Sequence, residues 1–190
     1  MDFRKKAISN ISNRLIETIT EPVTPIEIKN EPAVLQAYVR KTALKTASIS
    51  AALAVPGGVA GFVSMIPEVA AIWKLQAQMV SSIALSHGYE EQPGREQMIW
   101  CMFRQFGLGV VSKYVFRQGG VYVSKKMSGA AFQSALKSVG LKLITQQGGR
   151  GLSRIVPIAG SLTSGALSFR DTTRVGSNAL RLYTTGVRSA

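Results

Sequence analysis

Twenty-two consecutive residues, Thr46 to Pro67 (TASISAALAVPGGVAGFVSMIP), carry no charge. Their length matches the roughly 20 apolar residues that a bilayer-spanning helix needs. Pro56-Gly57-Gly58 interrupts the stretch near its middle. Proline removes a helix donor and clashes with the preceding turn. It also pushes the residue before it, Val55, away from helical angles. The reading is a helix ending near Ala54, a tight turn, a short second piece, and a new helix opening at Pro67. Proline suits a first helical position, and Glu68 beside it suits the positive end of the helix dipole. An apolar helix-break-helix of this kind has to be covered by other helices or by lipid.

The chain of 190 residues is long enough for one domain with a single core. Only 17% of residues are charged, against about 25% in an average globular protein. Eighteen glycines add to a composition with little polar surface, which suits tight helix packing or life beside a membrane. The net charge of +13 is unevenly spread. Residues 1–96 carry 10 Lys/Arg against 9 Asp/Glu, whereas residues 97–190 carry 13 Lys/Arg against Asp171 alone. The C-terminal half therefore attracts an anionic partner, phospholipid or nucleic acid. One cysteine, Cys101, excludes an internal disulfide and fits a reducing compartment. The basic start, Arg4, Lys5 and Lys6, is not followed by an apolar run, so no secretory signal is expected.

In chain order, Ile8, Ile11, Leu15 and Ile19 predict an amphipathic helix over 2–19. Its apolar face suits a protein core or the surface of anionic lipid. Three prolines make Glu21–Pro32 an extended connector. Residues 33–54 predict a helix. Val69, Ile72, Trp73, Gln76, Met79, Val80 and Ile83 form a helical stripe that His87-Gly88 closes. Residues 95–117 read as another helix, apolar on most faces and therefore central or lipid-facing. Gln118-Gly119-Gly120 is a break, and the alternation at Val121–Val123 is too short to establish a strand. A further helix is expected over 128–145, then a second break at Gln146–Gly151. Pro157 opens or kinks a helix reaching about Tyr183, with Gly160, Ser164, Gly165, Ser168 and Gly176 small enough for close backbone approach. Ile66-Pro67 and Val156-Pro157 look like a faint internal echo, each starting a long helix.

Two segments, Val55–Glu90 and Arg154–Tyr183, together resemble the EcsC family of bacterial helical proteins. They are also similar to the helical, membrane-associated domain found beside some bacterial GTPase modules. The matching residues are Pro56-Gly57, Pro67-Glu68, Gln76, His87-Gly88, Pro157, Gly160, Thr173, Gly176 and Ala179. The resemblance covers roughly residues 33–185. It departs from the family pattern in the order Gly88-Tyr89 and at Asp171, before the late Thr. It implies an all-α fold, bacterial membrane association, and a link in some members to transport or secretion machinery. It implies no catalytic residues.

The chemistry on offer is sparse. A hydrolase or metal site needs convergent polar groups, and the chain has one His and one Cys, 14 residues apart. His87 is expected to cap its helix and Cys101 to be inert core. Asp171 is expected to pair at the surface with a neighbouring Arg, and such pairs contribute little. Neither glycine run ends in the Gly-Lys-Ser/Thr of a phosphate loop. The functional lead is a basic run without an acid: Arg117, Lys125, Lys126, Lys137, Lys142, Arg150 and Arg154. Tyr114, Phe116 and Tyr122 lie among them and could stack on nucleic-acid bases, although no RNA-binding signature accompanies them.

The expectation is thus an all-α, single compact domain of about six to seven helices with Gly/Pro-broken apolar hairpins. Residues 1–32 would form an amphipathic helix and connector, and 33–190 an EcsC-like helical body. The protein would associate peripherally with the cytoplasmic face of a membrane, binding anionic lipid or a membrane-protein partner without a cofactor or metal. The alternatives are a soluble helical module for a protein or nucleic-acid partner, and a membrane-damaging effector that exposes Thr46–Pro67.

Overall fold

A computed structural model describes residues 21–53, 59–104, 112–132, 134, 135, 138 and 157–189, without the side chains of 53, 59–68, 157–163 and 189. The expected helix over 2–19, the Pro56-Gly57-Gly58 turn and the Gln146–Gly151 break lie outside the described residues. Four helices carry most of the described chain: α1 (Pro32–Leu53), α2 (Val59–Ser86), α3 (Arg95–Phe103) and α4 (Pro157–Thr185). Further helical turns are described within 129–138. The described residues are mostly helical, but the fold is not all-α. Strands β1 (Val115–Gln118), β2 (Val121–Ser124) and β3 (Val187–Ser189) form a sheet in that order.

The densest packing joins α1 and α4. Val39 meets Gly176, Thr46 meets Thr172, and Ala47 meets Gly165, so the two helices run antiparallel. Glycine is required for that approach. A Cβ at Gly176 would lie 2.5 Å from Val39 Cγ1, and one at Gly165 would lie 3.1 Å from the Ala47 carbonyl oxygen. Gly165 and Gly176 of α4 therefore act as the sequence suggests. Buried Trp73, Met79, Val80 and Ile83 of α2 and Val175, Ala179 and Leu182 of α4 share one core with Met98–Phe103 of α3. All six residues from Met98 to Phe103 are buried, so this apolar-all-round segment is central. Trp73 and Phe103 stack edge-on at 5.1 Å, as do Trp100 and Tyr122.

The expected opening of a helix at Pro67 is wrong. α2 begins at Val59 and passes through Pro67. Continuing through a proline forfeits one intrahelical hydrogen bond. Stopping and restarting leaves up to four carbonyls and four N–H groups without intrahelical partners, in a stretch with few groups to cap them. Glu68 accordingly sits inside the helix and cannot serve as a first-turn dipole partner. Pro157 does open α4, so the echo between the two Pro sites does not hold.

The expected helix over 95–117 holds at its start and is wrong at its end, where residues 115–117 are strand. α3 ends at Phe103, where Asn178 donates to the Cys101 carbonyl at 3.0 Å. Residues 115–124 form a hairpin with Gln118 paired to Val121, so the loop is Gly119-Gly120. Both glycines have positive φ, +60° and +87°, the geometry of the two-residue turn that matches strand twist. β3 then adds to β2 in parallel, Tyr122 opposite Val187.

The connector is extended, as expected, and is strapped to α2. Ile26 N–H donates to Ser82 Oγ at 2.9 Å, and Gln78 Nε2 donates to the Thr24 carbonyl at 2.9 Å. Gln92 Nε2 reaches the Val23 carbonyl at 3.0 Å, and Val23 is buried in the core.

Candidate functional site

The C-terminal ends of α2 and α4 meet, and the cap of one completes the cap of the other. Gly88, at φ +85°, ends α2. Tyr89 N–H returns to the Ala84 carbonyl and Gly88 N–H to that of Leu85, the paired bonds of a Schellman cap. α4 ends the same way at Gly186, φ +88°, whose N–H returns to Tyr183. The next donor, Val187 N–H, goes instead to the Tyr89 hydroxyl at 2.9 Å. His87 Nδ1 lies 2.8 Å from the Ile83 carbonyl, and its Nε2 lies 3.1 Å from Thr184 Oγ1. Donation from Nδ1 to the carbonyl leaves Nε2 to accept from Thr184, so His87 caps its helix and bridges to α4.

Beside this junction lies an open cleft of about 500 Å³, walled by Ala84, Tyr89, Pro93, Tyr183 and Val187. Its polar lining is Glu90, Glu91, Glu96, Gln92, Gln97 and Lys126. Tyr183 O–H donates to Gln97 Oε1 at 3.2 Å. Burial pushes the Tyr183 phenol well above its ordinary range, with Cys101 and Tyr89 adding to the effect. Sequence reasoning missed this cleft, since the acids at 90, 91 and 96 read only as loop and helix-start residues.

A second polar feature joins α1, α2 and α4. Gln76 Nε2 donates to Thr172 Oγ1 at 3.0 Å, and Thr172 Oγ1 lies 2.8 Å from Thr46 Oγ1. Thr46 gives its own hydrogen to the Ala43 carbonyl at 3.0 Å, so Thr172 donates to Thr46. All three side chains are buried. Every hydroxyl gives one bond and accepts one, which makes this a satisfied structural brace. The Gln76 of the family pattern is thus a brace residue, and its partner is Thr172.

The basic run is only partly described. Arg117 is exposed on β1, and Lys125 is exposed after β2 with its Nζ 5.3 Å from the centre of the Phe116 ring. Lys126 is exposed and lines the cleft that also holds Glu90, Glu91 and Glu96. Lys137, Lys142, Arg150 and Arg154 lie outside the described side chains. Cys101 is fully buried, and burial raises its thiol far above the ordinary range, with Arg104 lowering it slightly. It has the environment of an inert thiol. Among the described residues no group of three His, Cys, Asp or Glu is placed to hold a metal. No described helix is long and apolar enough to cross a membrane. No family model, curated protein or solved structure matches the chain.

Proposed function

We propose that this protein is an EcsC-like helical protein that associates peripherally with the cytoplasmic face of a bacterial membrane, as an accessory to transport or secretion machinery. The basic C-terminal half is the part held against anionic lipid. The observation that carries this reading is charge: one acid against 13 Lys/Arg over residues 97–190. Each cation that reaches an anionic surface is worth about 1 kcal/mol. Arg117, Lys125, Arg170, Arg174, Arg181 and Arg188 are all exposed. The reading includes a fold of six to seven helices, counting the amphipathic helix expected over 2–19 as an interfacial one.

Flotation of the full chain with phosphatidylglycerol-containing and pure phosphatidylcholine vesicles tests it. Binding should require the anionic lipid, weaken as salt rises, and survive a molar excess of RNA. Failure to float with either vesicle overturns the membrane reading, and binding that RNA abolishes transfers the surface to nucleic acid. Release of an encapsulated dye would instead identify a membrane-damaging activity.

A further inference from the structure

The fold brings forward cations that the C-terminal charge excess does not single out. α1 contains no acid, and Arg40, Lys41 and Lys45 are exposed on it. Between them stands Leu44, 54% exposed, one of two large apolar side chains left exposed among the described residues. Leu35, Val39, Thr42, Ala43, Thr46 and Ser50 are buried, and helical spacing puts Leu44 near the middle of the opposite face. Arg40 and Lys41 precede Leu44 by one turn on either flank, and Lys45 follows. Ser48, one turn later, donates its hydroxyl back to the Leu44 carbonyl at 3.0 Å.

The neighbouring helix repeats the pattern. α4 exposes Ala166, Arg170, Arg174, Ser177 and Arg181, a single stripe at steps of three and four. The contacts of Val39 with Gly176 and Ala47 with Gly165 fix the register. They bring Arg174 and Arg170 to about the level of Lys41 and Lys45. Asp171, half-buried, is the one acid in the two helices. The glutamates whose side chains are described lie elsewhere: Glu21, Glu27 and Glu31 on the connector, and Glu90, Glu91 and Glu96 at the cleft.

We infer that the outward face of the α1–α4 pair docks on an anionic phospholipid bilayer, with Leu44 entering the headgroup boundary and the flanking cations engaging the phosphates. An interface that is negative at its rim and apolar beneath fits both features. Nucleic acid offers the negative charge but no apolar layer for a leucine. The inference rests on the membrane reading above and places the contact on this helix pair, with α1 added to the C-terminal half.

Partitioning of the full chain onto vesicles of phosphatidylglycerol and phosphatidylcholine decides it. Lys41→Glu with Lys45→Glu should lower the partition coefficient by at least about 25-fold, since each lost cation is worth roughly fivefold and the new carboxylates add repulsion. Leu44→Ser should lower it on the order of tenfold, and that factor should persist at high salt. Arg117→Glu with Lys125→Glu should cost less than the α1 pair. Far-ultraviolet circular dichroism establishes that each variant keeps its helices. A second readout is an environment-sensitive dye on a Leu44→Cys variant, which should shift blue on adding vesicles; buried Cys101 does not compete for the label. A wild-type chain that binds while the α1 variants bind equally well overturns this inference and leaves the membrane reading standing. A wild-type chain that does not bind overturns both.

Discussion

Gly176 shows how much one missing methyl group decides. Glycine in a helix interior costs about 1 kcal/mol relative to alanine, so Gly176→Ala would stabilise α4 if the space were open. It is not open: the new Cβ would stand 2.5 Å and 2.7 Å from the two methyl carbons of Val39 and 3.1 Å from its Cβ. Val39 is buried and β-branched, so it cannot swing aside cheaply. Overpacking of this kind costs about 1–3 kcal/mol, which outweighs the propensity gain. Gly176→Ala should therefore lower the unfolding free energy in urea. Val39→Ala alone should also destabilise, by leaving a cavity. Combined, the two should cost less than their sum, because each relieves the fault of the other. Strict additivity would mean that Val39 and Gly176 do not touch. Gly165 follows the same logic against the Ala47 carbonyl, which has even less freedom to move.

Among the elements, the hairpin was the feature hardest to read in advance. Gly119-Gly120 was visible as a break, yet its flanks, VFRQ and VYVS, carry the β-branched and aromatic residues of paired strands. The apolar pattern of residues 95–117 hid this, since a short buried strand and a buried helix look alike by periodicity. β3 had no local signal at all; three residues become a strand only because β2 offers an edge and Tyr89 holds Val187. Long helices fared better. α1, the closing of α2 at Gly88 and α4 from Pro157 follow from stripes and caps that depend on nearby residues alone. The cleft needed tertiary structure, because Glu90, Lys126 and Tyr183 meet only after folding. The turn itself can be tested. Both its positions have positive φ, so Gly119→Asn should leave thermal stability within about 0.5 kcal/mol, Asn-Gly being favoured in such turns. Gly120→Ala should cost about 1–2 kcal/mol for the left-handed conformation. Equal effects at the two sites would contradict the assigned turn.

The whole molecule couples its core to alkaline pH through two protons. Cys101 and Tyr183 are both buried, and burial is the main reason that each holds its proton above its ordinary range. An unfolded thiol titrates near 8.5 and an unfolded phenol near 10. Below about pH 8 both groups are protonated in either state, so their full contribution to stability is present. Above 8.5 the unfolded chain sheds the Cys101 proton while the folded chain keeps it. The unfolded state then binds fewer protons, and stability falls with rising pH by about 1.4 kcal/mol per unit. Tyr183 adds a second such slope above about pH 10. The interval from 8.5 to 10 isolates the thiol, because lysines titrate mainly above it. Urea unfolding measured across that interval should show the decline in the wild-type chain. Cys101→Ala should flatten it there while leaving the steeper fall above pH 10, whatever small offset its lost sulfur introduces at neutral pH. A wild-type curve already flat between 8.5 and 10 would place Cys101 in contact with water, and with it would fall the central, all-round burial of α3 on which the rest of the core is stacked.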